Sequence, residues 1–151
     1  MDVSLITLED DLAKLVGDIN RASWDNTNGA MSYGEDGLRA YLERQDTFLL
    51  TCYEQGEDSK KLLGIASARI LIKPYAKELW LYVDEVDVCS DQRRRGVGRK
   101  MMEKLLLLAR ENGCEEVWLG AELKNDGANV LYHSLNPSEV SELYGYTYKI
   151  I

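Results

Sequence analysis

Three cysteines, one histidine and two prolines are all that this 151-residue chain holds of the residues that most often staple, ligate or punctuate a fold. Cys52, Cys89 and Cys114 lie far apart at irregular spacing, and an odd, scattered set argues against a disulfide framework. No CxxC or CxxH pair occurs, and His133 is the lone imidazole, so a tetrahedral zinc site built from soft ligands has too few donors. Chemistry, if present, must come from carboxylates, tyrosines, the backbone or a cofactor. No run of about 18 apolar residues is available to span a bilayer. The start, "MDVSLITLEDDLAKL", lacks the basic and then apolar regions of a secretory signal, so a cytoplasmic location is expected. Repeats, low-complexity tracts and Pro/Ser linkers are also missing. The expectation is one domain over residues 1–151, long enough for one hydrophobic core.

Positive charge is scarce too. The formal net charge is −8, which repels nucleic acid and anionic lipid and favours a cationic partner. Plain solubility is the simpler reading of that number. Against this background one basic cluster stands out: Arg93, Arg94, Arg95, Arg99, Lys100 and Lys104, diluted only by Glu103.

Periodicity organises the rest. "VSLIT" reads as a short strand. "LEDDLAKLVGDINRAS" carries Leu8, Leu12, Leu15, Val16 and Ile19 at helical spacing. "WDNTNGAMSYGEDG" reads as a polar loop and "LRAYLERQ" as a second helix. "TFLLTCYE" and "LLGIASARILIK" read as strands joined through "QGEDSKK", the second closed by Pro74. "ELWLYVDEVDVC" is a further strand. "GVGRKMMEKLLLLAREN" is the longest helix, with Val97, Met101, Leu105 and Leu108 on one stripe, Met102 beside them in the core, and a stop at Asn112-Gly113. "EEVWLGAEL" reads as a strand, "NDGANVLYHSL" as a short helix, and "SEVSELYGYTYKII" as one or two last strands. This order suggests a mixed α/β sheet with helices on both faces.

The junction "DVCSDQRRRGVGRKMMEKL" carries the chemistry. A helix start presents unpaired N–H groups and a partial positive charge, which together make an anion site. Gly96 and Gly98 let a bulky anion approach the backbone closely. Arginines before them add charge-assisted hydrogen bonds suited to phosphate oxygens. The segment therefore looks built for a pyrophosphate, although a basic helix cap is the plainer alternative. It is not a P-loop, because no GK[ST] follows, nor is it G-x-G-x-x-G.

"VDEVDVCSDQRRRGVGRKMMEKLLLLA" resembles the acetyl-CoA-binding core of the GCN5-related N-acetyltransferase (GNAT) superfamily. The shared pattern is a carboxylate-bearing strand, V-x-x-x-x-R-x-x-G-x-G, and a long helix, met here by Val88, Arg93, Gly96 and Gly98. "NDGANVLYHSL" resembles the family's N-x-x-A-x-x-L-Y helix. The tail is similar to the aminoglycoside 3-N-acetyltransferase type I group, with one departure: "LYHSLNP" puts Asn136-Pro137 where most members carry glycine. The resemblance implies a mixed, mostly antiparallel twisted sheet of six to seven strands flanked by about four helices. It also implies acetyl-CoA as cofactor and homodimers, with the tyrosine-rich last strand pairing across subunits.

Transfer of an acetyl group to an amine sets four needs. The thioester must be held, the amine must lose a proton, the tetrahedral oxyanion needs a donor, and the departing thiolate benefits from an acid. The resemblance implies that Arg93, Arg94, Arg95, Gly96, Val97, Gly98 and Arg99 hold the pyrophosphate, and that Val86 and Val88 hydrogen-bond the pantetheine arm. The N–H of Val86 or Asp87 would meet the oxyanion; Arg93, Arg94 or Arg99 would meet the 3′-phosphate. Strand alternation puts Glu85 and Asp87 on one face and Asp84 on the other. Glu85 matches the family's carboxylate and is expected as base, directly or through water, with Asp87 as amine anchor. A solvated strand end is the plainer reading of these three acids. Tyr132 matches the Leu-Tyr position and is expected as the acid; Asn125 and Asn129 are placed near the cofactor. His133, one residue on, faces about 100° away and reads as a surface residue. Trp24, Asp25, Tyr33, Glu35 and Asp36 fall where the family lines its acceptor side, and rings with carboxylates suit an ammonium group.

Three functions compete. The first is an N-acetyltransferase acting on a small polyamine- or aminoglycoside-like amine, which the acidity and the short tail favour. The second is the same chemistry on protein N-termini or lysines. The third is a non-catalytic acetyl-CoA-binding module, disfavoured by the presence of both Glu85 and Tyr132. No metal is expected.

Overall fold

The computed structural model describes residues 1–25, 32–56 and 60–151; the middle of the expected "WDNTNGAMSYGEDG" loop and of the "QGEDSKK" turn lie outside them. Two compact units are present, Met1–Gly120 and Ala121–Ile151. The first unit contains β1 (Asp2–Leu5), α1 (Leu12–Arg21), α2 (Glu35–Glu43), β2 (Thr47–Tyr53), β3 (Leu62–Ile72), β4 (Leu79–Val88), a single 3₁₀ turn at Ser90–Gln92, α3 (Val97–Glu111) and β5 (Glu116–Trp118). The second contains α4 (Asp126–Ser134).

The five strands lie in chain order, antiparallel except for the β4–β5 pair, which is parallel across the α3 crossover. Helices cover both faces of this sheet. On one face Leu12, Leu15 and Ile19 of α1 and Leu38 of α2 form a cluster with Leu49, Leu62 and Ile65 of the sheet. On the other, α3 buries Val97, Met101, Leu105 and Leu108, the stripe expected from spacing. A Cβ on Gly64 would lie 2.8 Å from the Asp87 carbonyl oxygen and 2.8 Å from Met101 Cε, so the missing side chain is what lets α3 seat against β3 and β4.

α1 begins four residues later than the periodicity suggests. The Thr7 N–H bonds Asp10 Oδ2 at 2.7 Å, a turn forms there, and the Asp11 carboxylate then caps the helix by accepting from the Lys14 N–H at 3.0 Å. Leu8 therefore stays outside the helix, 42% exposed.

Among the described residues the strand count is five, not six to seven. β5 stops at Trp118, short of the full "EEVWLGAEL" run, and residues 138–151 form no strand. A strand is defined by a ladder, and this segment has no hydrogen-bonded neighbour among the described residues; Tyr144, Tyr146 and Tyr148 stand exposed. No helix of the described residues is long and apolar enough to cross a membrane.

Candidate active site

β4 carries the first half of the site, and one irregularity decides its layout. Ser67 lies opposite Glu85 but Ala68 lies opposite Val83, so Asp84 has no partner of its own. This is a bulge, one extra residue on β4. Below it Leu81 and Val83 are buried, in register with Ile70 and Ala68. Continued alternation would have sent Glu85 and Asp87 the same way, under α3. The extra residue switches the parity. Asp87 instead pairs with Ile65, and Glu85 with Ser67, on the face that α1 and α2 cover.

Glu85 and Asp87 do share a face, as alternation suggested. Asp84, expected on the opposite face, instead reaches Arg69 at 3.6 Å, and that guanidinium lies over the Tyr82 ring on the same side as the acidic pair. The bulge removes Asp84 from the simple period-two pattern.

Burial first, and then the charge of Asp87 and a hydrogen bond to it, raises the Glu85 carboxyl above its ordinary range. Burial also raises Asp87, offset in part by the hydrogen bond from Glu85. The two titrate as a coupled pair, both raised by burial. Tyr33 joins them. Its ring packs against the cluster that contains Ile65, the cross-strand partner of Asp87. Burial, then the charges of Glu85 and Asp87, push its hydroxyl up to about 12, so it stays a neutral donor.

β4 also has an open edge. Among the described residues β5 pairs with Trp80, Leu81 and Tyr82, and beyond them β4 is paired through β3 alone. The Cys89 N–H bonds the Leu63 carbonyl at 2.8 Å, which fixes the phase: Asp87 and Glu85 turn their main-chain groups toward β3, and Val86 and Val88 turn theirs toward the open edge. These are the two residues expected to hold an extended arm.

The strand then meets the glycine corner. Arg94 has φ 63° and Gly96 φ 82°, a pair of left-handed residues in quick succession. Gly96 is the N-cap of α3, with no side chain capping the first turn among the described residues. A Cβ at Gly96 would meet nothing within 4 Å, so open space lies beside the uncapped first turn of α3, as a diphosphate would require. The arginine side chains are turned mostly to carboxylates. Arg93 pairs with Asp25 at 3.0 Å, Arg95 with Glu54 at 3.1 Å and also with Gln92, and Arg99 with Glu103 at 3.6 Å. Arg93, Arg95 and Arg99 are thus engaged by side chains of this chain.

The remaining sequence candidates divide. Trp24 commits its indole N–H to the Ile19 carbonyl at 2.8 Å and packs against the α1–α2 cluster. Asp25 is held by Arg93, so it faces the cofactor corner. Glu35 opens α2 beside Arg39 at 3.5 Å, and Asp36 follows it in the same first turn. In the second unit the Asn125 side chain caps α4 by accepting from the Ala128 N–H, and the Asn129 side-chain amide donates to the carbonyls of Glu122 and Asn125 at 2.9 and 2.8 Å. Tyr132 is half-buried on α4 and His133 exposed. Gly64 and the Asp84 bulge escaped the sequence reading. "LLGIASARILI" did offer a signal for the first: a glycine inside a strand marks a close backbone approach.

A model of the Acetyltransferase (GNAT) family matches residues 14–136. The chain is 29% identical over 93 residues to N-alpha-acetyltransferase MAK3 of Arabidopsis thaliana, covering 62% of this chain and 40% of that protein. It is 27% identical over 100 residues to N-acetyltransferase 8 of Homo sapiens, covering 66% and 42%. It thus spans less than half the length of these two relatives. An aminoglycoside acetyltransferase from an uncultured soil metagenomic sample, solved with sisomicin, has a similar fold: TM-score 0.81 at 19% identity, over 99% of this chain and 96% of that one.

Proposed function

The chain belongs to the acetyltransferase (GNAT) family, and from that premise we propose that it moves an acetyl group from acetyl-CoA to a primary amine of a small cationic acceptor, aminoglycoside- or polyamine-like, by direct transfer. One observation carries the reading: the Asp84 bulge brings Glu85 and Asp87 to the face shared with Tyr33, on the strand whose open edge leads into the glycine corner. Acetyl-CoA, the donor that family members use, supplies an activated thioester.

The chain's own groups meet the needs of the reaction. Main-chain amides around Gly96, Val97 and Gly98 would grip the diphosphate. Val86 and Val88, with main-chain groups at the open edge, would bind the pantetheine arm as a neighbouring strand does, and the Val86 N–H would meet the developing oxyanion. Glu85, its carboxyl raised by burial and the neighbouring acid, would be a stronger base than an ordinary carboxylate and take the amine proton, directly or through water; Asp87 would anchor the ammonium. Tyr132 is assigned the acid role on the Leu-Tyr motif alone. The match over residues 14–136 spans parts of both compact units, which supports one catalytic domain.

A panel of amines with acetyl-CoA, read by free thiol, tests the proposal. Thiol release with di- and polyamines is expected, and Gly96→Glu should abolish both release and thermal stabilisation by acetyl-CoA. Release with no amine, or stabilisation of Gly96→Glu equal to the parent, would overturn it. The match to an N-alpha-acetyltransferase favours a second reading, a peptide amine as acceptor; peptides with free N-termini belong in the same panel.

A further inference from the structure

Among the acceptor-side candidates, Tyr33 is held through its main chain, at both its N–H and its carbonyl. The Asn20 side-chain amide makes two bonds to its main chain: Asn20 Nδ2 donates to the Tyr33 carbonyl at 2.8 Å, and the Tyr33 N–H donates to Asn20 Oδ1 at 2.9 Å. A primary amide placed this way imitates a strand partner, using one donor and one acceptor on each side. Asn20 sits near the end of α1, one residue after Ile19, which is 2% exposed in the α1–α2 cluster. Its main chain is therefore fixed by the core. The clasp joins residues thirteen apart in sequence and holds residue 33 against the end of α1.

The consequence lies on the acceptor. The Tyr33 ring packs against the cluster containing Ile65, opposite Asp87, and Glu85 and Asp87 act on its hydroxyl. A clasped main chain fixes the point from which the ring projects; an unclasped one would lose that freedom each time an acceptor bound. We propose that Asn20 is a positioning residue that, by clasping the main chain of Tyr33, makes Tyr33 the specificity-determining wall of the acceptor site, selecting primary ammonium groups that fit between its ring and the Glu85–Asp87 pair. This deepens the acyl-transfer reading and rests on it for the identity of the ligand.

The test uses the full chain and three variants, Asn20→Ala, Tyr33→Ala and the double variant. In Asn20→Ala the Tyr33 amide should exchange with deuterium at least about tenfold faster, because its acceptor is gone, with the thermal midpoint and acetyl-CoA affinity near the parent's. KM for the best amine should rise about tenfold with kcat changed less than about twofold, the pattern of lost binding rather than lost chemistry. In the Tyr33→Ala background, Asn20→Ala should add nothing. Unchanged exchange at Tyr33 overturns the clasp. An equal fall in kcat and kcat/KM, or additive effects in the double variant, overturns its role in selection. If no amine releases thiol from the parent, the acyl-transfer reading falls and takes the specificity role with it, while exchange still decides whether the clasp exists.

Discussion

A carboxyl that is costly to ionise has two measurable faces. Burial and the neighbouring acid raise Glu85 and Asp87 above their ordinary values, which lie near ~4 in an unfolded chain. Between the ordinary and raised values the native state binds more protons than the unfolded one. Stability contributed by this pair therefore falls as pH rises through that window and is flat above it. Glu85→Gln removes the cost. Its thermal midpoint should exceed the parent's at neutral pH, with the advantage vanishing below about pH 4, while turnover falls roughly 10²- to 10⁴-fold. Melting curves across pH together with thiol-release rates check both halves. A variant that loses activity without gaining stability would count against Glu85 as a buried base.

Two substitutions at the scale of the sheet test how its faces are filled. Gly64→Ala places a methyl where the Asp87 carbonyl and Met101 already stand at 2.8 Å. It should cost about 1–3 kcal/mol in denaturant unfolding and weaken acetyl-CoA binding, because α3 must back away from β4. Thr51 is 1% exposed in β2 and its hydroxyl has no hydrogen-bond partner among the described residues. Thr51→Val keeps the shape and removes the orphan, so unfolding free energy should rise by about 1 kcal/mol. These positions also mark what a one-dimensional reading reaches. β2, β3, β4 and α3 were legible because period two and period 3.6 are imposed by burial, and the α3 stripe Val97, Met101, Leu105 and Leu108 is such an imprint. The glycine corner was legible because left-handed backbone leaves a residue-type signature at Gly96. The Asp84 bulge left a mark that period two alone passes over: the apolar positions Leu81 and Val83 resume as Val86 and Val88, a change of parity across the adjacent acids Asp84 and Glu85 that one extra residue absorbs. The Asn20 clasp was invisible, being a contact across thirteen residues with no local mark. Residues 138–151 alternate like a strand, but alternation cannot supply the neighbour that a strand requires.

For the molecule as a whole, the formal charge is −8, and the arginines of its basic corner are largely matched by acids: Arg93 by Asp25, Arg95 by Glu54 and Arg99 by Glu103. The field felt by an approaching acceptor is therefore negative. For a polycationic amine, kcat/KM should fall about tenfold between ~0.01 M and ~0.5 M salt, as screening shortens the reach of that field. A monoamine should respond less. Stopped-time thiol assays over a salt series measure the difference, and equal slopes for both amines would show that net charge plays no part in acceptor capture.

The single-residue slip in β4 also separates two problems of recognition. On the proposed function, the donor would be read along the free border of the sheet, beside α3 and the glycines. The amine would be read on the opposite side, by α1 and α2. Rewriting a few side chains on the α1–α2 side would then exchange one customer for another and leave the donor's berth untouched.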